Sequence, residues 1–369
     1  MEKQRYPQVE VDLEKLGHNA RQIVRRCDEL GIEVAGVIKG CTGLPACAAQ
    51  FDEAGCSFIA SSRLEQIELA IGYGIQKPMM LIRVPMLSEV EDVIRLTDIS
   101  LNSDMTVLRA LNREAGRQDK KHQVILMADL GDLREGFWEK EDLLSAALLT
   151  ENELRNLELA GIATNLGCYG AIAATPDKLN ELISLAERIE ERIGRELQYI
   201  GGGATTSLPR ILEGNMPRRI NLLRIGEGIL LAKDLRDLWG YDMSFLHQDV
   251  FTLKAEVIEV RDKPSYPSGE IMVDAYGQRP RFKDRGTRKR ALLALGKVDY
   301  AFPDMLLPRD IGVEVLGASS DHTILDVEEA EREFRVGDIV AFDLCYATIV
   351  YVTNSPNVRI TYKGANWKK

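Results

Sequence analysis

Short apolar runs alternate with longer amphipathic stretches through the first two-thirds of the chain. Eight of the runs read as strands, at residues 34–39, 57–61, 79–83, 98–101, 124–129, 157–164, 197–201 and 222–226. Runs this short, bounded by turn residues, fit strands buried on both faces. Between them apolar residues recur every three or four positions, clearest at 14–30, 62–71, 88–96, 105–117, 140–150 and 176–194, and this spacing predicts helices. The last of these opens after Thr175, a good N-cap followed by Pro176, and ends at Gly194. Eight strand-then-helix units predict a (β/α)8 barrel. An open doubly wound sheet is the alternative, but no Gly-x-Gly-x-x-Gly follows the first strand.

From about Tyr241 the pattern changes. Residues 250–260, 270–275, 290–295, 312–316, 323–327, 339–342 and 348–353 read as strands between Pro, Gly and Asp turns, and helical periodicity nearly vanishes. The expected organisation is a barrel over residues 1–245 and an all-β domain over residues 246–369, with the first strand of the chain able to pack against the β domain.

Composition narrows the function. A chain of 369 residues with 45% hydrophobic and 28% charged residues is long enough for both domains and typical of a soluble protein. Its net charge of -10 argues against nucleic-acid binding. The basic run from Arg279 to Arg290 is interleaved with Phe282 and Asp284 and reads as a solvated loop able to help hold an anionic group. No apolar stretch approaches the roughly 20 residues of a membrane span. No signal-peptide segment follows Met1-Glu2-Lys3-Gln4-Arg5. Six scattered cysteines without a Cys-x-x-Cys pair and four dispersed histidines suggest no metal site. A reducing cytoplasm is the expected compartment.

The chemistry collects at strand ends, which in a barrel face the active site. Lys39 closes the first strand. A lysine there either snorkels its ammonium into water or, once desolvated, becomes a neutral amine able to form a Schiff base with an aldehyde cofactor. Arg134 lies in the loop 129–136, and Thr164-Asn165 end another strand. Gly201-Gly202-Gly203-Ala204-Thr205-Thr206-Ser207 follows the next, and Arg224-Ile225-Gly226-Glu227-Gly228 the last. Such Gly-rich turns either merely link strand to helix or let backbone N–H groups approach a phosphate. Two of them with a lysine and an arginine suggest pyridoxal 5'-phosphate (PLP).

On these residues the chain resembles the alanine racemase-type PLP enzymes. Val9-Glu10-Val11-Asp12-Leu13 with His18-Asn19, Val37-Ile38-Lys39, Asp129-Leu130-Gly131-Asp132-Leu133-Arg134-Glu135-Gly136 and Leu223-Arg224-Ile225-Gly226 are similar to that family's segments. So is the stretch from Ser320 to Val327 followed by Gly337-Asp338. Within the family, Val273-Asp274-Ala275-Tyr276-Gly277 and Gly317 to His322 resemble the ornithine racemase-like branch.

The resemblance implies a PLP-binding TIM barrel, a C-terminal β domain and a head-to-tail homodimer. Lys39 would carry the cofactor and act as one acid/base, and Arg224 would face the pyridine nitrogen. Thr205, the backbone of Gly226 and Glu227, and Tyr346 would hold the phosphate. Arg134 would lie near the cofactor oxygen and the substrate carboxylate, and Asn165 would stand where alanine racemases stack a histidine. A second acid/base is needed on the opposite face, and Tyr276, from the partner subunit's β domain, is its candidate.

Three departures point away from alanine. Gly43 replaces a phosphate-binding tyrosine, Asn165 replaces the histidine, and Ser320 replaces a methionine that narrows the pocket. A longer, basic side chain would need a carboxylate, from Asp321, Asp274 or Glu227. The implied activity is racemisation of a basic amino acid, ornithine foremost, with lysine or arginine possible substrates. The rivals are racemisation of alanine or another small amino acid, decarboxylase or D-threonine aldolase chemistry in the same fold, and a non-catalytic PLP carrier. Arg224 opposes the decarboxylase, whose ring-nitrogen partner is normally a glutamate, and the β domain opposes the carrier.

Overall fold

A computed structural model describes residues 5–364 and divides the chain into two units, Lys15–His247 and a second formed by Met1–Glu14 with Gln248–Lys369. Met1 to Gln4, part of the stretch read for a signal peptide, lie outside the described residues.

The chain opens with β1 (Gln8–Asp12), and the barrel strands come next. These are β2 (Glu33–Val37), β3 (Phe58–Ser61), β4 (Met79–Leu81), β5 (Ile99–Asn102), β6 (His122–Met127), β7 (Leu157–Ala163), β8 (Tyr199–Gly201) and β9 (Leu222–Ile225). They pair in parallel, in chain order, and β9 closes the ring on β2. A helix follows every strand, from Pro45–Glu53 after β2 to Glu227–Leu230 after β9.

The two-residue period explains the interior. Ala35 and Val37, Phe58 and Ala60, Ile99 and Leu101, and Ile125 and Met127 form one buried cluster inside the ring. The intervening residues are buried too, as a parallel sheet covered by helices requires. Local signals agree: Asp104 accepts N–H bonds from Thr106 and Val107 at the start of the helix Met105–Arg117, and Thr175 accepts one from Lys178 at the start of Pro176–Ile193.

Ser100 and Asn102 alternate with Ile99 and Leu101. The Ser100 hydroxyl meets His122 Nε2 at 2.8 Å, and Asn102 Nδ2 donates to the same hydroxyl at 3.0 Å. Burial pushes His122 from 6.5 down to about 4. The unfolded chain therefore takes up this proton well before the folded one. Stability from the neutral ring is complete above pH 6.5 and is lost as pH falls towards 4, in total about 3 kcal/mol. His122→Gln should flatten the fall in denaturant midpoint across that window. A slope equal to that of the parent protein would assign the titration elsewhere.

The second unit is an antiparallel sheet of β10 (Phe251–Pro264), β11 (Thr287–Leu293), β12 (Leu307–Pro308), β13 (Glu314–Ala318), β14 (Thr323–Asp326) and β15 (Ile339–Asp343), in spatial order β12-β15-β10-β11-β14-β13. β1 pairs antiparallel with β10 and parallel with β16 (Arg359–Lys363).

Two expected strands differ. Residues 270–275 fall in an irregular loop between β10 and β11. There Asp274 Oδ1 accepts the N–H groups of Tyr276 and Gln278, a local turn that competes with a ladder. Residues 348–353 fall largely in the helix Tyr346–Val352. Its β-branched residues imitate a strand, but Thr348 Oγ1 accepts the Cys345 N–H at 3.0 Å and caps the helix, while Ile349 and Val352 are buried three residues apart.

Candidate active site

β2 ends at Val37, two residues short of Lys39, which begins a single 3-10 turn over Lys39–Cys41. The turn is held by Cys41 N–H and Gly43 N–H, both donating to Ile38 O. Lys39 is half-buried. Burial, above all, lowers its pKa; Cys168 and Glu135 oppose the shift, and Arg134 and Arg224 reinforce it. The amine is therefore easier to deprotonate than an ordinary lysine.

Arg224 sits on β9, opposite Ala35 of β2, so its strand neighbours the one that leads to Lys39. Only 4% exposed, it donates from Nη2 to Thr164 O at 2.8 Å, while Nη1 is buried with no partner among the described residues. A Cβ at Gly201 would lie 3.4 Å from that Nη1 and 2.7 Å from Ala163 Cβ, so glycine makes the room. Burial draws the guanidinium down to about 10, which still leaves it a cation at neutral pH. Asn165, next to Thr164, likewise has a buried Nδ2 with no partner among the described residues.

Asp129 Oδ1 accepts the N–H groups of Gly131 and Leu133 and shapes the loop that presents Arg134, which is paired with Glu135. Buried Asp132 accepts the N–H groups of Gly167 and Tyr169, tying this loop to the one after β7. Those backbone bonds outweigh the effect of desolvation and hold its carboxyl below the ordinary range.

The two Gly-rich turns meet: Gly228 N–H donates to Thr205 Oγ1 at 3.1 Å. Thr205 keeps its own hydroxyl hydrogen to donate. Glu227 turns inward. Its Oε1 accepts the N–H groups of Lys233 and Asp234, its Oε2 is buried with no partner among the described residues, and burial raises it to about 7. Gly43 is at φ +70°, and a Cβ there would lie 2.5 Å from Gln66 Cβ, so no side chain projects from this position without displacing Gln66.

In the β unit, Tyr276 is 45% exposed, and the Lys297 ammonium lies 4.1 Å from its ring centroid. Lys297 N–H donates to Ser319 O at 2.9 Å. Lys297 thus links the two segments, its side chain on Tyr276 and its backbone on Ser319, which precedes exposed Ser320 and Asp321; these two bond to each other (Ser320 Oγ to Asp321 Oδ2, 2.7 Å). Tyr346 opens the helix Tyr346–Val352 and is half-buried.

Sequence reasoning missed Cys168, an exposed free thiol in the loop after β7 that stands near Lys39, Arg134 and Arg224. Its one signal was its place three residues beyond Asn165. Lys297 was also missed, for nothing local marks a lysine that covers a tyrosine elsewhere in the chain.

A barrel whose mouth gathers a desolvated amine, a buried guanidinium and a tied pair of Gly-rich turns defines a class of cofactor-holding (β/α)8 proteins. Residues 11–233 match the family described as alanine racemase, N-terminal domain, and the chain belongs to that family. It is 39% identical over 345 residues to an ornithine racemase of Acetoanaerobium sticklandii, covering 94% of this chain and 96% of that one. It is 37% identical over 358 residues to a lysine racemase of Thermotoga maritima, covering 97% and 99%. Among solved structures it is similar to an alanine racemase from a D-cycloserine-producing Streptomyces lavendulae, with a TM-score of 0.76 at 18% identity over 98% of both chains.

Proposed function

We infer that this protein is a PLP-dependent racemase of a basic amino acid. The observation that carries the inference is the near-full-length similarity to an ornithine racemase and a lysine racemase. The residues fit the cofactor: Lys39 offers a desolvated amine, and the unpartnered Arg224 Nη1 and Asn165 Nδ2 offer two buried donors. Thr205 with the backbone of Gly226 and Glu227 would seat the phosphate. When bound, PLP supplies an electron sink that acidifies the substrate Cα–H.

Lys39 would hold the cofactor and then carry the proton on one face of the substrate Cα, its burial favouring the proton-accepting neutral form. Arg224, charged and fixed by Thr164 O, would donate a hydrogen bond to the ring nitrogen and keep it from taking a proton, limiting charge delocalisation so that a proton is returned promptly. Arg134, beside Glu135, would receive the substrate carboxylate. Racemisation needs a second carrier on the opposite face. Tyr276 of the partner subunit would be that group, in a homodimer that completes each site. A cytoplasmic setting suits the free thiols.

Among the three carboxylates considered for the substrate side chain, Glu227 turns inward beside the Gly-rich turns, with Oε1 capping Lys233 and Asp234 and Oε2 buried, and Asp274 Oδ1 is taken by the turn around Tyr276. Asp321 is exposed, and Ser320 orients it. We assign it the ammonium of the substrate. The test is α-deuterium exchange in heavy water across a panel of L- and D-amino acids. Ornithine or lysine should exchange fastest, and Asp321→Asn should raise KM for these about tenfold or more, with little change for alanine. Exchange confined to alanine would overturn the substrate assignment, and no exchange on any amino acid would overturn the racemase.

A further inference from the structure

The basic run from Arg279 to Arg290, which the proposed reaction leaves unused, folds over a cavity of about 740 Å³ in the β unit. Five cations line it, Arg281, Lys283, Arg285, Arg290 and Lys297, against two carboxylates, Asp274 and Glu314. Arg285 is satisfied, by Glu314 at 2.8 Å and by buried Asp326 at 2.9 Å. Asp274 is held ionised by backbone N–H groups, so it offsets one charge. The excess remains positive in a chain whose net charge is -10.

Two observations say that this excess is organised rather than merely solvated. Arg290 donates from Nη2 to Ser265 O at 3.2 Å, but its Nε is buried with no partner among the described residues. An unsatisfied buried N–H is unfavourable unless an acceptor reaches it. The base of the loop is also pinned. Ser265 N–H donates to Gly286 O at 2.8 Å, Gly286 N–H donates to Asp284 Oδ1 at 2.9 Å, and Tyr266 and Phe282 meet edge to face at 6.4 Å. Among the described residues, Arg281 and Lys283 have no ion-pair partner, and they stand on this fixed wall.

We propose that this cavity binds a small multivalent anion, a molecule bearing two or more phosphate or carboxylate groups. Its volume is within the range of small-molecule pockets and larger than one inorganic ion needs. Unpaired cations on a low-dielectric wall concentrate such anions. The proposal does not depend on the substrate of the barrel.

Calorimetric titration of the cofactor-loaded protein with pyrophosphate, and separately with citrate, at constant ionic strength tests it and separates the phosphate from the carboxylate source. Saturable binding of one anion per chain is expected for at least one of the two. It should weaken at least tenfold in the Arg281→Gln, Lys283→Gln double variant, whose altered side chains are exposed. No saturable binding of either anion, or equal affinity in parent and double variant, would overturn the proposal.

Discussion

Lys39→Ala is expected to leave a folded barrel with racemisation reduced by at least ~10⁴-fold, beyond what loss of a single acid/base group usually costs. The side chain starts a turn closed by backbone bonds to Ile38 O, so its removal should not open the fold. It also removes a half-buried ammonium that is costly to keep charged there, so thermal stability should hold or rise slightly. The purified variant should lack the visible absorbance of lysine-bound cofactor, and an added primary amine should restore part of the exchange. A variant that keeps both colour and turnover would remove Lys39 from the mechanism.

The second large effect is expected at Tyr276. Tyr276→Phe keeps the ring beneath the Lys297 ammonium and takes away only the hydroxyl, so the loop should stay in place. We expect kcat to fall about 10²- to 10³-fold. The loss should be unequal in direction: solvent deuterium should still enter one enantiomer through Lys39, while exchange from the other should nearly cease. Equal and mild losses in both directions would make Tyr276 a loop residue and nothing more.

Much of the barrel was legible because its cause is local and periodic. Most residues buried on these parallel strands are apolar whichever way they point, and the helices between strands are marked by their caps and stripes. The mouth was legible for a related reason, since strand ends can be found from strands. That reasoning reached Lys39, Asn165, Thr205 and Arg224, and it stopped where space rather than order decides. Cys168 and Lys297 lie beside residues distant in sequence, and no spacing rule announces them. The helix Tyr346–Val352 was hidden because Thr348, Ile349, Val350 and Val352 are β-branched, and only the Thr348 cap and the burial of one face override that preference. The turn at Asp274 was hidden likewise, by a side chain bonding its own neighbourhood.

The pairing of β1 with both β10 and β16 bears on how the chain is made. Residues 8–12 leave the ribosome before the barrel strands, yet their two neighbours, at 251–264 and 359–363, follow only after them. The barrel strands β2 to β9 lie wholly between, so the ring can close while β1 still carries two unpaired edges. An extended segment in that condition is prone to stray pairing. Loss of residues 359–363 would make one of those edges permanent.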